Sequence, residues 1–173
     1  MKTGAIDIRR AVRGDAAAIA DVHDEAWRQA YRGILPGAEL ERMIARRGPA
    51  WWDRAIRQRV SILVLGHEGN TAGYVTFGQS RARTLPYRGE IYELYLQPEY
   101  QGLGFGSKLF EAAKDALTSQ GRRSLVVWAL ADNDVACAFY ERRGGRSVGR
   151  SVDRIGDVLL QKVAYGWTPA PRA

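Results

Sequence analysis

Sulfur and imidazole are scarce in this chain: of 173 residues, one is cysteine (Cys137), two are methionine and two are histidine (His23 and His67). A single cysteine excludes an internal disulfide framework and fits a reducing interior, so the expected location is cytoplasmic. Two histidines and one cysteine do not make the four ligands of a structural zinc site, and no metal is expected. Long apolar runs are missing as well; none approaches the roughly 18 residues needed to cross a bilayer, so no membrane partner is expected. The first ten residues, M-K-T-G-A-I-D-I-R-R, hold no apolar core and no secretory signal is expected from them. Acidic charge is also in deficit. The net charge is +7, and 22 of the 26 basic residues are arginine. The arginines pair along the whole chain, as at Arg9-Arg10, Arg46-Arg47, Arg122-Arg123 and Arg142-Arg143. No RNA-recognition or zinc-finger motif accompanies them, so nucleic-acid binding is not expected. A scattered basic surface suits a small polyanionic ligand.

The remaining composition, 46% hydrophobic and 26% charged, is that of an ordinary globular protein. The length gives room for one core. Ile6 to Arg9 alternates as a first strand. Asp15 stands at an N-cap position before Ile19, Val22, Ala26 and Ala30, which fall at helical spacing, and the helix should fade before Gly33. A second helical stretch, about Ala38 to Arg59, is broken at Gly48-Pro49 and carries Trp51-Trp52 after the break. Ser61–Leu65 and Ala72–Gly78 read as a hairpin around Gly69-Asn70. Ile91–Leu96 is a further strand. Leu109, Phe110, Ala113, Ala116 and Leu117 make one face of a helix that stops near Gly121. Ser124–Leu130 is a buried strand, and Asp132 and Asn133 can cap a helix that ends at Gly144-Gly145. Arg146–Asp153 and Val158–Tyr165 close the chain around a turn at Gly156. The order, β-α-α-β-β-β-α-β-α-β-β, predicts a single α/β domain over residues 5–166 with a mixed, mostly antiparallel central sheet flanked by helices. Residues 167–173 form an expected C-terminal tail.

Between the Ile91–Leu96 strand and the next helix lies Gln101-Gly102-Leu103-Gly104-Phe105-Gly106-Ser107. A P-loop requires G-x-x-x-x-G-K-[ST], and Ser107 and Leu109 break that pattern. A dinucleotide loop requires a third glycine where Ser107 stands. Alternate glycines can still turn backbone N–H groups toward one point, and a new helix adds unpaired amides and a positive dipole end. A pyrophosphate would fit such a cradle; a tight packing turn remains the other reading.

The strand Glu90-Ile91-Tyr92-Glu93-Leu94-Tyr95-Leu96 followed by Gln97-Pro98-Glu99-Tyr100-Gln101-x-x-Gly104-x-Gly106 resembles the acetyl-CoA signature of the GNAT N-acetyltransferase superfamily. Asn133-Asp134-Val135-Ala136-Cys137-Ala138-Phe139-Tyr140-Glu141 resembles its second signature. Ala26-Trp27-Arg28-Gln29-Ala30-Tyr31-Arg32-Gly33 is similar to a segment common in bacterial members. The resemblance extends from about Ile6 to Tyr165. It implies a sheet splayed between the strands at 91–96 and 124–130. The pantetheine arm of acetyl-CoA would meet the backbone around Leu94, Tyr95 and Leu96, with the pyrophosphate on the amides of Gln101, Gly102, Leu103, Gly104, Phe105, Gly106 and Ser107. Asn133 would contact the pantetheine arm, and Ala136, Phe139 and Tyr140 would line the acyl end.

The implied reaction is direct transfer of acetyl to a primary amine in a ternary complex. Tyr140 is expected to hydrogen-bond the leaving thiolate. Glu90 and Glu93 compete as the base, with Glu90 favoured because some family members place a catalytic glutamate eleven residues before the position of Gln101. Strand alternation puts the two on opposite faces. The acceptor is open. Arg81, Arg83 and Arg88 in the segment Gly78 to Gly89 hint at an anionic group on it, with solvated loop charges as the equal alternative. Tyr31 and Trp51-Trp52 are expected chiefly as core, with an acceptor-pocket role as the alternative. His23 is expected as a packed or exposed helix residue and Cys137 as a small filler. Family members often dimerise, which leaves a homodimer open. A degenerate CoA-binding sensor without turnover is the alternative function.

Overall fold

The computed structural model describes residues 4–169. Along the chain run β1 (Ile6–Arg10), α1 (Ala16–Tyr31), α2 (Gly37–Ala45), α3 (Pro49–Arg57), β2 (Ser61–His67), β3 (Asn70–Gln79) and β4 (Gly89–Leu96). They are followed by α4 (Phe105–Ser119), β5 (Leu125–Leu130), α5 (Asp134–Arg142), β6 (Arg146–Ile155) and β7 (Val158–Trp167). The seven strands form one mostly antiparallel sheet in the order β1-β2-β3-β4-β5-β7-β6. The order of elements is the expected one, with the interrupted helical stretch resolved into α2 and α3. Gly48 is extended (φ −73°, ψ −176°) because the residue before a proline is driven out of the helical region, and Pro49 then opens α3 at its first position. Among the described residues, no helix is long and apolar enough to cross a membrane.

Contacts gather the chain into two compact units. The first comprises the chain up to Phe77 together with Glu93–Ala113. In it β2 pairs antiparallel with both β1 and β3, Ile8 opposite Leu65 and Leu63 opposite Val75. The expected hairpin at Gly69-Asn70 is the β2–β3 turn, with Gly69 at φ 81°. Ile19, Val22, Trp52, Ile62, Val64 and Tyr74 make a buried core, supplied by the apolar faces of α1 and α3 and by one face of the strands. Burying side chains of this size stabilises by about 1.5–3 kcal/mol each.

The second unit comprises Gly78–Tyr92 and the chain from Lys114 onward. Here β7 pairs antiparallel with β5 and β6. The start of β4 pairs parallel with β5, from Gly89 opposite Leu125 to Ile91 opposite Val127, and that pairing goes no further. Leu125, Val126 and Val127 are buried, as the apolar run S-L-V-V-W-A-L requires. Trp167 is the last residue of β7, is buried, and donates its Nε1–H to the Arg143 carbonyl at 2.9 Å. The chain leaves the sheet at Thr168 rather than 167, and residues 170–173 of the expected tail lie outside the described residues.

Asp15 has a different task from the expected one. Its carboxylate makes no cap bond to α1. It accepts from the Val12 amide at 2.7 Å and from both terminal nitrogens of Arg9 at 2.8 and 3.0 Å, which fixes the turn between β1 and α1. The Arg9 hydrogen bond is the main reason its pKa falls below the ordinary 3.8. A lowered folded pKa means stability that is complete above the unfolded value and lost as pH falls through the folded one. Asp15→Ala should therefore cost about 1–3 kcal/mol in urea denaturation at neutral pH. The gap to the unaltered protein should narrow as pH falls below about 3.8.

Candidate functional site

In the first unit, β4 runs into the glycine-rich turn through a short 3-10 turn at Pro98–Tyr100. Gly102 and Gly104 have φ of 76° and 82°, a region that other residues enter only with strain. A Cβ at either would meet nothing within 4 Å, so the backbone conformation and not crowding demands glycine there. Phe105 anchors the turn: it is buried, its ring 5.1 Å from His67 and 6.1 Å from Tyr100. Gln101 donates its Nε2–H to Gln29 at 3.2 Å and to the Leu96 carbonyl at 3.4 Å, tying the turn to α1 and to the end of β4. The first amides of α4 have no partner within the helix, because the ladder has nothing to offer them. The Gln101 amide donates to the Pro98 carbonyl at 3.2 Å, and Gly102 to Ser107 form the turn that enters the N-terminus of α4. Leu94, Tyr95 and Leu96 are half-buried on β4. Gly73 on β3 admits them closely: its Cβ would fall 2.5 Å from both the Tyr95 carbonyl oxygen and the Leu96 side chain.

The two carboxylates of β4 have separate partners. Glu90, in the second unit and 2% exposed, accepts from the Arg81 amide at 2.9 Å and from the Arg81 guanidinium at 2.7 and 3.3 Å. The guanidinium also lies 4.2 Å from the Tyr92 ring, whose hydroxyl donates to the Gln79 carbonyl at 2.6 Å. Arg81, read either as a hint of an anionic acceptor group or as a solvated loop charge, pairs with Glu90 and braces its own segment. Glu93, in the first unit, accepts from Arg47 Nη2 at 2.6 Å and from the Tyr74 hydroxyl at 3.2 Å.

Around Glu93 stands an aromatic nest. The Arg47 guanidinium carbon lies 4.2 Å from the Trp51 ring and 4.7 Å from that of Trp52. Trp52 is 5.0 Å from Tyr74, and His23 is 5.0 Å from Trp27 and 5.9 Å from Trp52. Trp27 in turn is 4.9 Å from Tyr31. Arg47 and Tyr74 were not among the expected site residues. Arg47 had a readable signal, a guanidinium four residues before two consecutive tryptophans. Tyr74 had none, because only the sheet brings β3 beside Glu93. His23 is fully buried, and burial lowers its pKa to about 4; Glu93 raises it and Arg47 lowers it further.

The second unit holds the other motif. Asn133 caps α5 by accepting the Ala136 amide at 3.1 Å, so the expected cofactor ligand is also the residue that starts the helix. Ala136 and Phe139 are half-buried. Tyr140 is buried beside Phe139, Tyr165 and Trp167, with centroids 5.2, 6.0 and 6.0 Å away, and burial raises its pKa. Cys137 is half-buried, its thiol directed at the Leu130 carbonyl at 3.5 Å. Among the described residues, no three His, Cys, Asp or Glu side chains gather as metal ligands.

The Acetyltransferase (GNAT) family model matches residues 19–145, and the chain belongs to that family. It is 28% identical over 162 residues to an uncharacterized N-acetyltransferase, YuaI, of Bacillus subtilis, covering 94% of this chain and 92% of that protein. Its fold is that of a GCN5-related N-acetyltransferase from Rhodopseudomonas palustris, with a TM-score of 0.75, 21% identity, and 98% of this chain and 99% of the other covered. The PaiA N-acetyltransferase of Thermoplasma acidophilum, solved in complex with coenzyme A, superposes with a TM-score of 0.72 at 20% identity, covering 91% and 98%.

The buried histidine gives a direct test. In an NMR pH titration the His23 ring should stay neutral until about pH 4, whereas the unfolded chain protonates near 6.5. A lowered histidine pKa makes the unfolded state bind the proton first. His23 therefore removes stability as pH falls from 6.5 towards 4, by at most about 1.4 kcal/mol per pH unit.

Proposed function

We propose that the chain is an acetyl-CoA-dependent N-acetyltransferase that carries acetyl directly to a primary amine in a ternary complex. The observation that carries this is the positive-φ glycine turn at the start of α4, within the region matched by the family model. The amides of Gly102 to Gly106 bind the pyrophosphate, the Gln101 amide being already donated to the Pro98 carbonyl, and the backbone of Leu94 to Leu96 binds the pantetheine arm. Asn133, Ala136 and Phe139 are proposed as cofactor contacts on the resemblance of their own motif. Acetyl-CoA supplies the activated acyl group as a substrate, and a cytoplasmic setting accords with its use.

An amine with a pKa near 10 must lose a proton before it attacks, at a cost of roughly 4 kcal/mol at pH 7. Glu93 is the better base. The Glu90 oxygens are held by three donors of Arg81 in a site 2% exposed, whereas Glu93 keeps 11% of its side chain exposed and faces an aromatic nest. Glu93 takes the ammonium proton directly or through water. The C–N bond forms as the C–S bond breaks, the second amine proton goes to solvent, and the thiolate leaves to become the CoA thiol. Amides of β4 beyond Ile91, where pairing with β5 has ended, stabilise the oxyanion. Tyr140 supports the leaving sulfur by hydrogen bonding. Its raised pKa makes full proton transfer to a thiolate of pKa about 8.5 uphill.

Thiol release from acetyl-CoA across a panel of amines, followed by mass measurement of the product, tests the reading. Gly104→Ala should raise the KM for acetyl-CoA about tenfold or more, since αL strain costs about 1–2 kcal/mol. Tyr140→Phe and Glu93→Gln should each lower kcat about 10²-fold or more with cofactor affinity retained. Binding of CoA with no turnover of any amine would instead mark a CoA sensor. Failure to bind it would remove the proposal.

A further inference from the structure

Among the described residues, five buried side-chain nitrogens of the first unit have no protein partner: His67 Nδ1 and a group of four, His23 Nε2, Trp27 Nε1, Trp52 Nε1 and Arg47 Nε. Leaving such groups dry costs about 1–3 kcal/mol each, so native proteins supply a ligand or a water. All four lie in the nest around Glu93, joined through the ring contacts of His23 with Trp27 and Trp52 and of Arg47 with Trp52. His23 and Trp52 are fully buried. The Arg47 side chain keeps 22% of its surface, so the nest meets solvent at a guanidinium paired with a carboxylate.

The chemistry of that mouth is selective. Tryptophan and arginine offer donors only, and a guanidinium has five N–H bonds, one of which is spent on Glu93. Beside these donors Glu93 is an acceptor of negative charge. Donors suited to an oxyanion, next to a carboxylate suited to an ammonium, complement a small molecule bearing both charges a few bonds apart. Trp51, half-buried beneath the Arg47 guanidinium, adds a flat apolar wall.

Resting on the acetyltransfer reading, we infer that the acceptor is a carboxylate-bearing amine of the amino-acid type, with Arg47 gripping its carboxylate while Glu93 receives its ammonium. Arg47 is then the specificity-determining residue. The planar fork of Arg47 matches a planar carboxylate through two parallel hydrogen bonds. The same arrangement favours product release. Acetylation removes the positive charge and leaves the carboxylate, so the product presents only an anion to Glu93.

Intrinsic tryptophan fluorescence, read without acetyl-CoA, reports occupancy of the nest independently of catalysis. Amino acids are titrated against their methyl esters and against a polyamine. The acids should bind at least about tenfold more tightly than the esters, the worth of one charge-assisted pair. Arg47→Lys should lose most of that difference and Arg47→Gln all of it, with CoA affinity measured by calorimetry unchanged. Esters or polyamine binding as well as the acids would overturn the inference, as would no response to any carboxylate-bearing amine at millimolar concentration. Should Arg47→Gln fail to fold, the acid-against-ester comparison on the unaltered chain decides. Loss of CoA binding in the unaltered protein is the separate failure of the acetyltransfer reading.

Discussion

A carboxylate cannot remain charged in a nearly buried place without a partner, and Glu93 on β4 obtains one from Arg47. That requirement organises much of the first unit. Arg47 reaches β4 only because the Gly48–Pro49 break ends one helix and starts another at that point in the chain. The guanidinium then covers Trp51 and Trp52, the first turn of α3, and Trp52 packs against Tyr74, whose hydroxyl returns to Glu93. Helix break, aromatic core and strand carboxylate form one closed circuit of contacts. Removing a member leaves a buried charge or a buried donor exposed to the low dielectric.

The second unit meets the same requirement at Glu90, three residues earlier in the chain. Glu90 finds Arg81, a residue of the segment leading into β4, and the pair braces that segment with Tyr92 beneath the guanidinium. One carboxylate is sealed by a local arginine and its backbone amide. The other is held by a distant arginine at the edge of an aromatic nest. Every oxygen of both carboxylates accepts a hydrogen bond, and the two differ in exposure, 2% for Glu90 against 11% for Glu93.

The glycine turn depends on a different constraint. Two residues at positive φ turn the chain from β4 into α4, and Phe105, buried against His67 and Tyr100, keeps the first turn of the helix in place. The helix start is thereby held in place by a buried anchor. Asn133 does comparable work at α5, where an amide side chain fixes the start of the helix that carries Tyr140.

Local chemistry was legible in the residues. The strand at 91–96, the hairpin at Gly69-Asn70, the break at Gly48-Pro49, the turn at Gly102 and Gly104 and the Asn133 cap each follow from conformational preferences that act within a few residues. Asp15 was read correctly in place and wrongly in partner, because its bonds go back to Arg9 and Val12 rather than forward into α1. Arg81 and Arg47 illustrate the limit. Both are arginines near turns, and nothing within several residues says which one seals Glu90 and which one meets Glu93. The sequence by itself determined the elements, the glycine turn and the family signatures. Tertiary structure alone decided which carboxylate is locked and which stands among aromatic rings, because that choice rests on pairs 9 and 46 residues apart that only the folded sheet brings into contact.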